Sequence, residues 1–450
     1  MLKKILHILT LRAVYLRPRF FALFAGIATF FVVSFIFPFL FPVAKALLVA
    51  CIALVAVDLI LLFNKNVQVK ASRQLPRQLS LGDDNTVRLQ IHNDYGLKLG
   101  ITIIDEVPVE FQKRDFGIVD TLPPQVEKAY EYNLRPTLRG EYTFHDINVF
   151  VHSPLGIVER RIQKKAEQKI LVYPSIQQMN RYSLMAVARI STMRGVKKVR
   201  RLGASYEFAQ IRNYVKGDDY RSINWKATSR KNELMINQFE DERSQQIFSV
   251  IDKGRSMQMP FHGMSLLDYA VNTALVISSV SLQKHDRAGL LTFSDKIGAT
   301  VKADDSPQQL KLIIETLYKE QPRNFEANYE LLYTATKQFI KRRSLLFLYT
   351  NFESYSAMAR VLPLLRRINK MHLLVVVFFE NTEIGDYAQQ EAHTTEEIYY
   401  KTIASKFVEE KFRIVQKLRQ YGIQVILTRP EELSVDSVNK YLELKARGMI

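Results

Sequence analysis

Ile247-Phe248-Ser249-Val250-Ile251-Asp252-Lys253-Gly254-Arg255-Ser256-Met257 is an apolar run that stops at an acid and a glycine. Its first part, Ile247 to Ile251, has the composition of a strand buried on both faces. Downstream, Ser265-Leu266-Leu267-Asp268 reads as a capping box, and Leu267, Val271, Ala274, Leu275 and Ile277 follow at helical spacing. The alternation then continues. Strands are expected at 289–293, 344–349, 373–379 and 424–428, and helices at 307–318, 329–340, 356–369, 396–421 and 435–447. Such alternation builds a parallel sheet covered on both faces. Ligands of these sheets sit beyond the carboxyl ends of the strands, here Asp252 to Ser256 and Thr350 to Glu353.

Just upstream, Gly217-Asp218-Asp219-Tyr220-Arg221-Ser222-Ile223-Asn224-Trp225-Lys226-Ala227-Thr228-Ser229-Arg230 holds the only tryptophan of the chain and an adjacent carboxylate pair. Gly217 permits a positive φ. Asp218 and Asp219 can accept an arginine fork or backbone N–H groups, and Trp225 offers a large amphipathic surface. Two uses compete. In one, Arg212, Arg221 and Arg230 pair with the acids and lock the segment onto the sheet. In the other, the segment is an exposed docking surface built from residue types common at binding hot spots.

Between residues 66 and 173 the period falls to two, as in Val87-Arg88-Leu89-Gln90-Ile91, with turn signals at Gly82-Asp83-Asp84-Asn85, Leu122-Pro123-Pro124 and Ser153-Pro154. Short strands at this spacing predict a small antiparallel β-sandwich. Asp105-Glu106, before Val107-Pro108, reads as a solvated turn. Residues 174–244 read as a linker carrying the signature segment, with a short helix at 185–193 and a basic run from Lys197 to Arg201.

At the start of the chain, Phe20–Leu40 is uncharged and Ala46–Phe63 carries one acid, Asp58. Each is close to the ~20 residues that cross a bilayer core. The length of the first run and the immediate second span argue against a cleaved leader. Lys3, Lys4, Arg12, Arg17 and Arg19 precede the first span, and Lys65, Lys70, Arg73 and Arg77 follow the second. This bias places both ends, and the soluble domains, in the cytoplasm. Asp58 either serves a function inside the membrane, or lies near the interface, reaches water or bonds the other helix.

Among 450 residues there is one cysteine, Cys51, and the eight histidines have no metal-ligand spacing. Nucleotide-binding glycine motifs and the hydrolase nucleophile elbow are absent. The net charge of +18 is dispersed and not interleaved with stacking aromatics. Nucleic acid is one candidate cause of that charge and an anionic membrane surface another, and a nucleic-acid partner is not expected.

Asp252-Lys253-Gly254-Arg255-Ser256, the helix after it, and Leu348-Tyr349-Thr350-Asn351 resemble a von Willebrand factor A domain. In that family a metal site takes Asp-x-Ser-x-Ser from the first strand end, a Thr from a second loop and an Asp from a third. Here Asp252 and Ser256 match, Gly254 replaces the middle Ser and Asn351 the third-loop Asp. No Thr stands in the second loop at 324–328. The resemblance thus implies a degenerate site at Asp252, Ser256 and Asn351. No cofactor is expected, and Mg2+ is the ion such oxygen ligands would suit.

Glu207, Arg212, Tyr214, Gly217, Asp218, Asp219, Arg221, Ile223, Trp225, Lys226, Ala227 and Arg230 fall at the spacing of the family catalogued as domain of unknown function 58, and Ser153-Pro154-Leu155-Gly156 also matches. That resemblance implies a bacterial inner-membrane accessory protein, without established catalytic residues. It would work with a MoxR-type AAA+ ATPase in assembling or activating other proteins. The alternative is a metal-dependent hydrolase using Asp218, Asp219 and Asp252. The expected layout is a transmembrane hairpin (1–65), a β-sandwich-like module (66–173), the linker and signature segment (174–244) and a doubly wound von Willebrand A-like α/β domain (245–450).

Overall fold

The two apolar runs form helices α1 (Pro18–Ile36) and α2 (Phe41–Leu62), joined by one tight turn at Pro38–Leu40. Pro18 and Pro42 stand in the first turns, where a missing N–H costs nothing. Pro38 ends α1 earlier than the apolar run does, because it cannot continue a helix and restricts the residue before it. Both helices are long and apolar enough to cross a membrane, and side chains such as Phe35 and Ile60 are largely exposed.

The computed structural model describes residues 13–63, 67–112, 116–183, 207–215, 218–240 and 244–450. They fall into two compact units, 1–173 and 174–450. The expected helix at 185–193 and the basic run at 197–201 lie outside the described residues.

In the first unit the hairpin is continuous with three small sheets, antiparallel apart from one short pairing. Strand Val14–Leu16, just before α1, pairs with Val158–Lys164. At the other end of the hairpin, Asp58 is buried and accepts hydrogen bonds from the Ser153 hydroxyl and from the backbone N–H groups of Ile157 (3.1 Å) and Val158 (2.9 Å). Its partner is therefore the β-module rather than water or the other helix. The Asp105 turn is likewise not solvated. Asp105 follows Ile101 and Ile103 at period two, so it points inward. There it meets the buried guanidinium of Arg73 and the Tyr132 hydroxyl.

In the second unit the buried run forms β1 (Gln246–Asp252), followed by α3 (Leu266–Gln283) behind a complete Ser265–Asp268 capping box. Then come β2 (Arg287–Phe293), β3 (Ile297–Asp304), α4 (Gln309–Lys319), α5 (Tyr329–Phe339), β4 (Leu345–Tyr349), α6 (Tyr355–Met371) and β5 (Leu373–Phe379). Helices α7 (Thr382–Gln389) and α8 (Thr395–Gln420), strand β6 (Gln424–Thr428) and α9 (Leu433–Ala446) complete it. The sheet order is β3-β2-β1-β4-β5-β6. Five strands are parallel, and β3 pairs antiparallel with β2 through bulges. The sheet is thus mixed, not all parallel. Ile297-Gly298-Ala299-Thr300-Val301 has too weak a pattern to stand out, and a short turn after β2 allows only a hairpin.

Alternation along the strands splits the core in two. Ile247, Ile251, Phe347, Val375 and Val377 face α3 and α9, whereas Phe248, Val250, Leu346, Leu348 and Val376 face α5, α6 and α8. The strand order reverses between β1 and β4. Their carboxyl ends, Asp252 and Thr350–Asn351, therefore flank the crevice where ligands of doubly wound sheets bind.

Candidate functional site

Asp252 is 1% exposed at that crevice. One carboxylate oxygen accepts from the Gly254 N–H (2.7 Å) and the other from the Thr350 hydroxyl (2.8 Å). The Tyr329 hydroxyl is 2.7 Å from the same Thr350 oxygen. The Tyr329 ring meets Phe293 edge-on and stacks on Phe352, closing the carboxylate off. Burial pushes the Asp252 carboxyl up to about 6, against the pull of those two donors.

The residues expected to ligate an ion are otherwise engaged. The Asn351 side-chain oxygen accepts from the Lys411 ammonium (3.0 Å), which also donates to the Phe352 carbonyl (2.6 Å). The Asn351 amide group faces the Ser256 carbonyl at 3.4 Å. A Cβ at Gly254 would stand 3.0 Å from the Phe325 carbonyl and 3.1 Å from the Ala327 nitrogen. The 323–328 loop is therefore closed directly over the position where the family pattern carries a serine. Backbone bonds from Arg255 to Phe325 and from Arg323 to Lys253 hold it there. Beside it, Lys253 and Glu320 form a buried ion pair, and Glu320 also accepts from Thr292. This donor set does not fit a divalent cation. One buried carboxylate is spent on internal donors, the amide oxygen is spent on an ammonium, and protein occupies the loop space. Among the described residues no three His, Cys, Asp or Glu side chains come together as metal ligands.

The signature segment is built differently. Strands Glu207–Asn213 and Met235–Glu240 form a hairpin, and the segment between them returns through a short helix, Trp225–Lys231. Glu207 lies in the first strand, and Gly217 lies outside the described residues. Arg212 grips Asp218 with both terminal nitrogens, at 2.7 and 2.8 Å, and the Val215 N–H donates to the same carboxylate. The Arg212 fork first, and that N–H second, hold the Asp218 carboxyl below its ordinary range. Asp219 caps the turn that follows by accepting from the Arg221 N–H. Asn224 caps the short helix and bonds Asn237 across the hairpin, and the Tyr214 N–H donates to Leu234.

The acids are therefore used within the segment, while its aromatics and remaining cations point outward. Trp225 is 70% exposed and Tyr220 69%, with Val215 and Leu234 also open. Arg221 lies over the Tyr220 ring. Neither Arg221, Lys226 nor Arg230 meets a carboxylate among the side chains described. Asp218 and Asp219 do not share a ligand site with Asp252.

Residues 210–416, covering this segment and most of the sheet, match the family model described as "Protein of unknown function DUF58". That region of the chain is of the DUF58 family. An uncharacterised Bacillus subtilis (strain 168) protein, YeaD, is 27% identical over 191 residues, 41% of this chain and 48% of that one. The chain thus spans about half the length of this curated relative. Solved structures align weakly. Proximal thread matrix protein 1 from the mussel byssus covers 45% of each chain at 11% identity and a TM-score of 0.26. The CARDB domain of PF1109 from Pyrococcus furiosus covers 24% of this chain and 88% of its own at 16% identity and a TM-score of 0.18.

Tyr329 and Lys411 are absent from the sequence reading as site residues, and Thr350, which it places at a strand end, is not paired there with Asp252. The Tyr329–Thr350–Asp252 chain forms only through the sheet topology. Lys411 did leave a signal: it shares a helix face with the buried Ile414 and Leu418, where an apolar residue is expected.

Proposed function

We propose that the chain is a membrane-anchored, non-enzymatic scaffold that docks a protein partner on the Trp225 face of its α/β unit. One observation carries this reading: Trp225 and Tyr220 are exposed on a segment whose acids are already engaged. Tryptophan, tyrosine and arginine dominate binding hot spots, and aromatic side chains with two χ angles cost little entropy to bury. The family resemblance supplies the partner class, a MoxR-type AAA+ ATPase engaged in assembling or activating other proteins. The family resemblance implies a bacterial inner membrane, and the flanking cations support placing the termini and soluble units in the cytoplasm. The doubly wound strand order, with Asp252 and Ser256 at the end of its first strand, supports a von Willebrand factor A-like domain whose surface, not a metal, does the binding.

The hydrolase alternative needs Asp218, Asp219 and Asp252 to converge, whereas the Arg212 fork engages both Asp218 oxygens, one Asp219 oxygen caps the next turn, and the three share no ligand site among the described residues. The test is a photo-cross-linking side chain at position 220 in native membranes, with and without Trp225→Ala. A cross-link to an AAA+ ATPase that disappears in the variant is expected. A wild-type protein that cross-links to no ATPase would overturn the partner assignment.

A further inference from the structure

The Ser153-Pro154-Leu155-Gly156 turn and the two arginines at the start of α1 play no part in that reading, and they meet. Arg19 donates to the Leu155 carbonyl at 3.2 Å, and the Arg17 N–H donates to the Ile157 carbonyl at 3.1 Å. Gly156 has φ +65, and a Cβ there would lie 2.9 Å from an Arg19 nitrogen and 3.4 Å from an Arg17 nitrogen. Two guanidinium groups therefore converge on one glycine. Neither is neutralised by a carboxylate among the side chains described. Asp58, the acid of this junction, is committed to Ser153, Ile157 and Val158.

Beside them opens a shallow groove of about 500 Å³, lined by Arg19, Ala22, Leu23, Leu54, Leu155 and Ile157. Arg19, Ala22 and Leu23 share one face of α1, and Leu54 lies one turn from Asp58 on α2. The helices run in opposite directions, so the steps from Arg19 to Leu23 and from Asp58 to Leu54 point the same way, along the apolar hairpin. The groove is cationic at one end and apolar along its length, and its apolar end runs onto helices long enough to cross a bilayer.

We propose that this groove binds one anionic phospholipid, with its phosphate on Arg17 and Arg19 at Gly156 and the start of an acyl chain over Ala22, Leu23 and Leu54. Charge complementarity selects the anion, since an apolar face alone would accept any acyl chain. A free phosphate would use only half of the groove.

The inference rests on α1 and α2 spanning a membrane, so the test begins with a carbonate wash of membranes holding the full chain. Release of the chain would overturn the membrane reading and the site with it. The retained protein is then purified in detergent and incubated with phosphatidylglycerol or phosphatidylcholine, and bound lipid is counted by native mass spectrometry. Retention of phosphatidylglycerol should exceed that of phosphatidylcholine by about five-fold for each arginine engaged. Arg19→Gln should lower this preference about five-fold, and Arg19→Lys should restore it. Leu54→Trp, which fills the groove, should reduce retention of both lipids, and millimolar inorganic phosphate should displace neither. Equal retention of the two lipids by the wild type, or an unchanged preference in a folded Arg19→Gln protein, would overturn the site.

Discussion

The strand ends around Asp252 and the surface around Trp225 carry similar residue types and put them to opposite use. At Asp252 the neighbouring polar groups are spent internally: the carboxylate on Gly254 and Thr350, Asn351 on Lys411, Lys253 on Glu320. Around Trp225 the acids are used within the segment, and Trp225, Tyr220 and Arg221 remain open. A carboxylate pair beside a tryptophan and an acid at a strand end both invite a catalytic reading. In this chain the acids hold backbone in place, and what is left for a partner is the surface they hold.

The contrast breaks most sharply at Trp225. Trp225→Ala should weaken partner capture by about 2–4 kcal/mol, roughly 30- to 1,000-fold, with no change in the melting temperature. Pull-down from solubilised membranes alongside thermal melting reads both. Loss of stability with intact capture would move the tryptophan from the open side of the comparison to the closed one.

Asp252→Asn tests the closed side. Burial raises this carboxyl from 3.8 to about 6 in the folded protein, so the folded state holds a proton that the unfolded state has released. Its stabilisation is complete below pH 3.8 and is lost as the pH rises through about 6. The loss is on the order of 3 kcal/mol for a shift of this size. The asparagine can still accept from the Gly254 N–H through its oxygen and donate to the Thr350 oxygen through its amide, and it does not titrate, so its melting profile should lack that slope. A metal site would instead give a wild-type melting temperature that rises with magnesium and a variant that ignores it.

Lys411 titrates the other way. Burial first of all lowers its ammonium from 10.5 to about 8. The unfolded chain then holds the extra proton, and stability should increase as the pH rises from about 8 to 10.5. Allowing for its partial exposure, the gain is about 2 kcal/mol. Lys411→Met should flatten the alkaline limb of the melting profile. The smallest effect is expected for Arg212→Ala. Its fork to Asp218 is solvent-facing, so the melting temperature should hardly move, while partner capture falls in part as the turn bearing Tyr220 loosens. A large loss of stability would mean that the fork supports the fold itself.

Much of the architecture was legible because its signals are local. Strands β5 and β6 fall on the expected residues, since an unbroken apolar run between turns admits little else. The Ser265–Asp268 cap was readable for the same reason. Edge strand β3 was not, because one exposed face leaves little hydrophobic imprint. The site was legible in its residue types and illegible in its pairings. Arg212 and Asp218 are six apart and could be matched, whereas Thr350 lies 98 residues from Asp252. Asp58 shows the same limit, with Ser153 95 residues away.

That last contact has a mechanical consequence. Asp58 grips two successive backbone amides and a hydroxyl, and the strand ahead of α1 is stitched to the same part of the module. A helix held at one point can roll about its own axis, but the hairpin is held at both of its chain ends. Roll or sliding of α1 and α2 therefore has to carry the facing strands of the β-module with it.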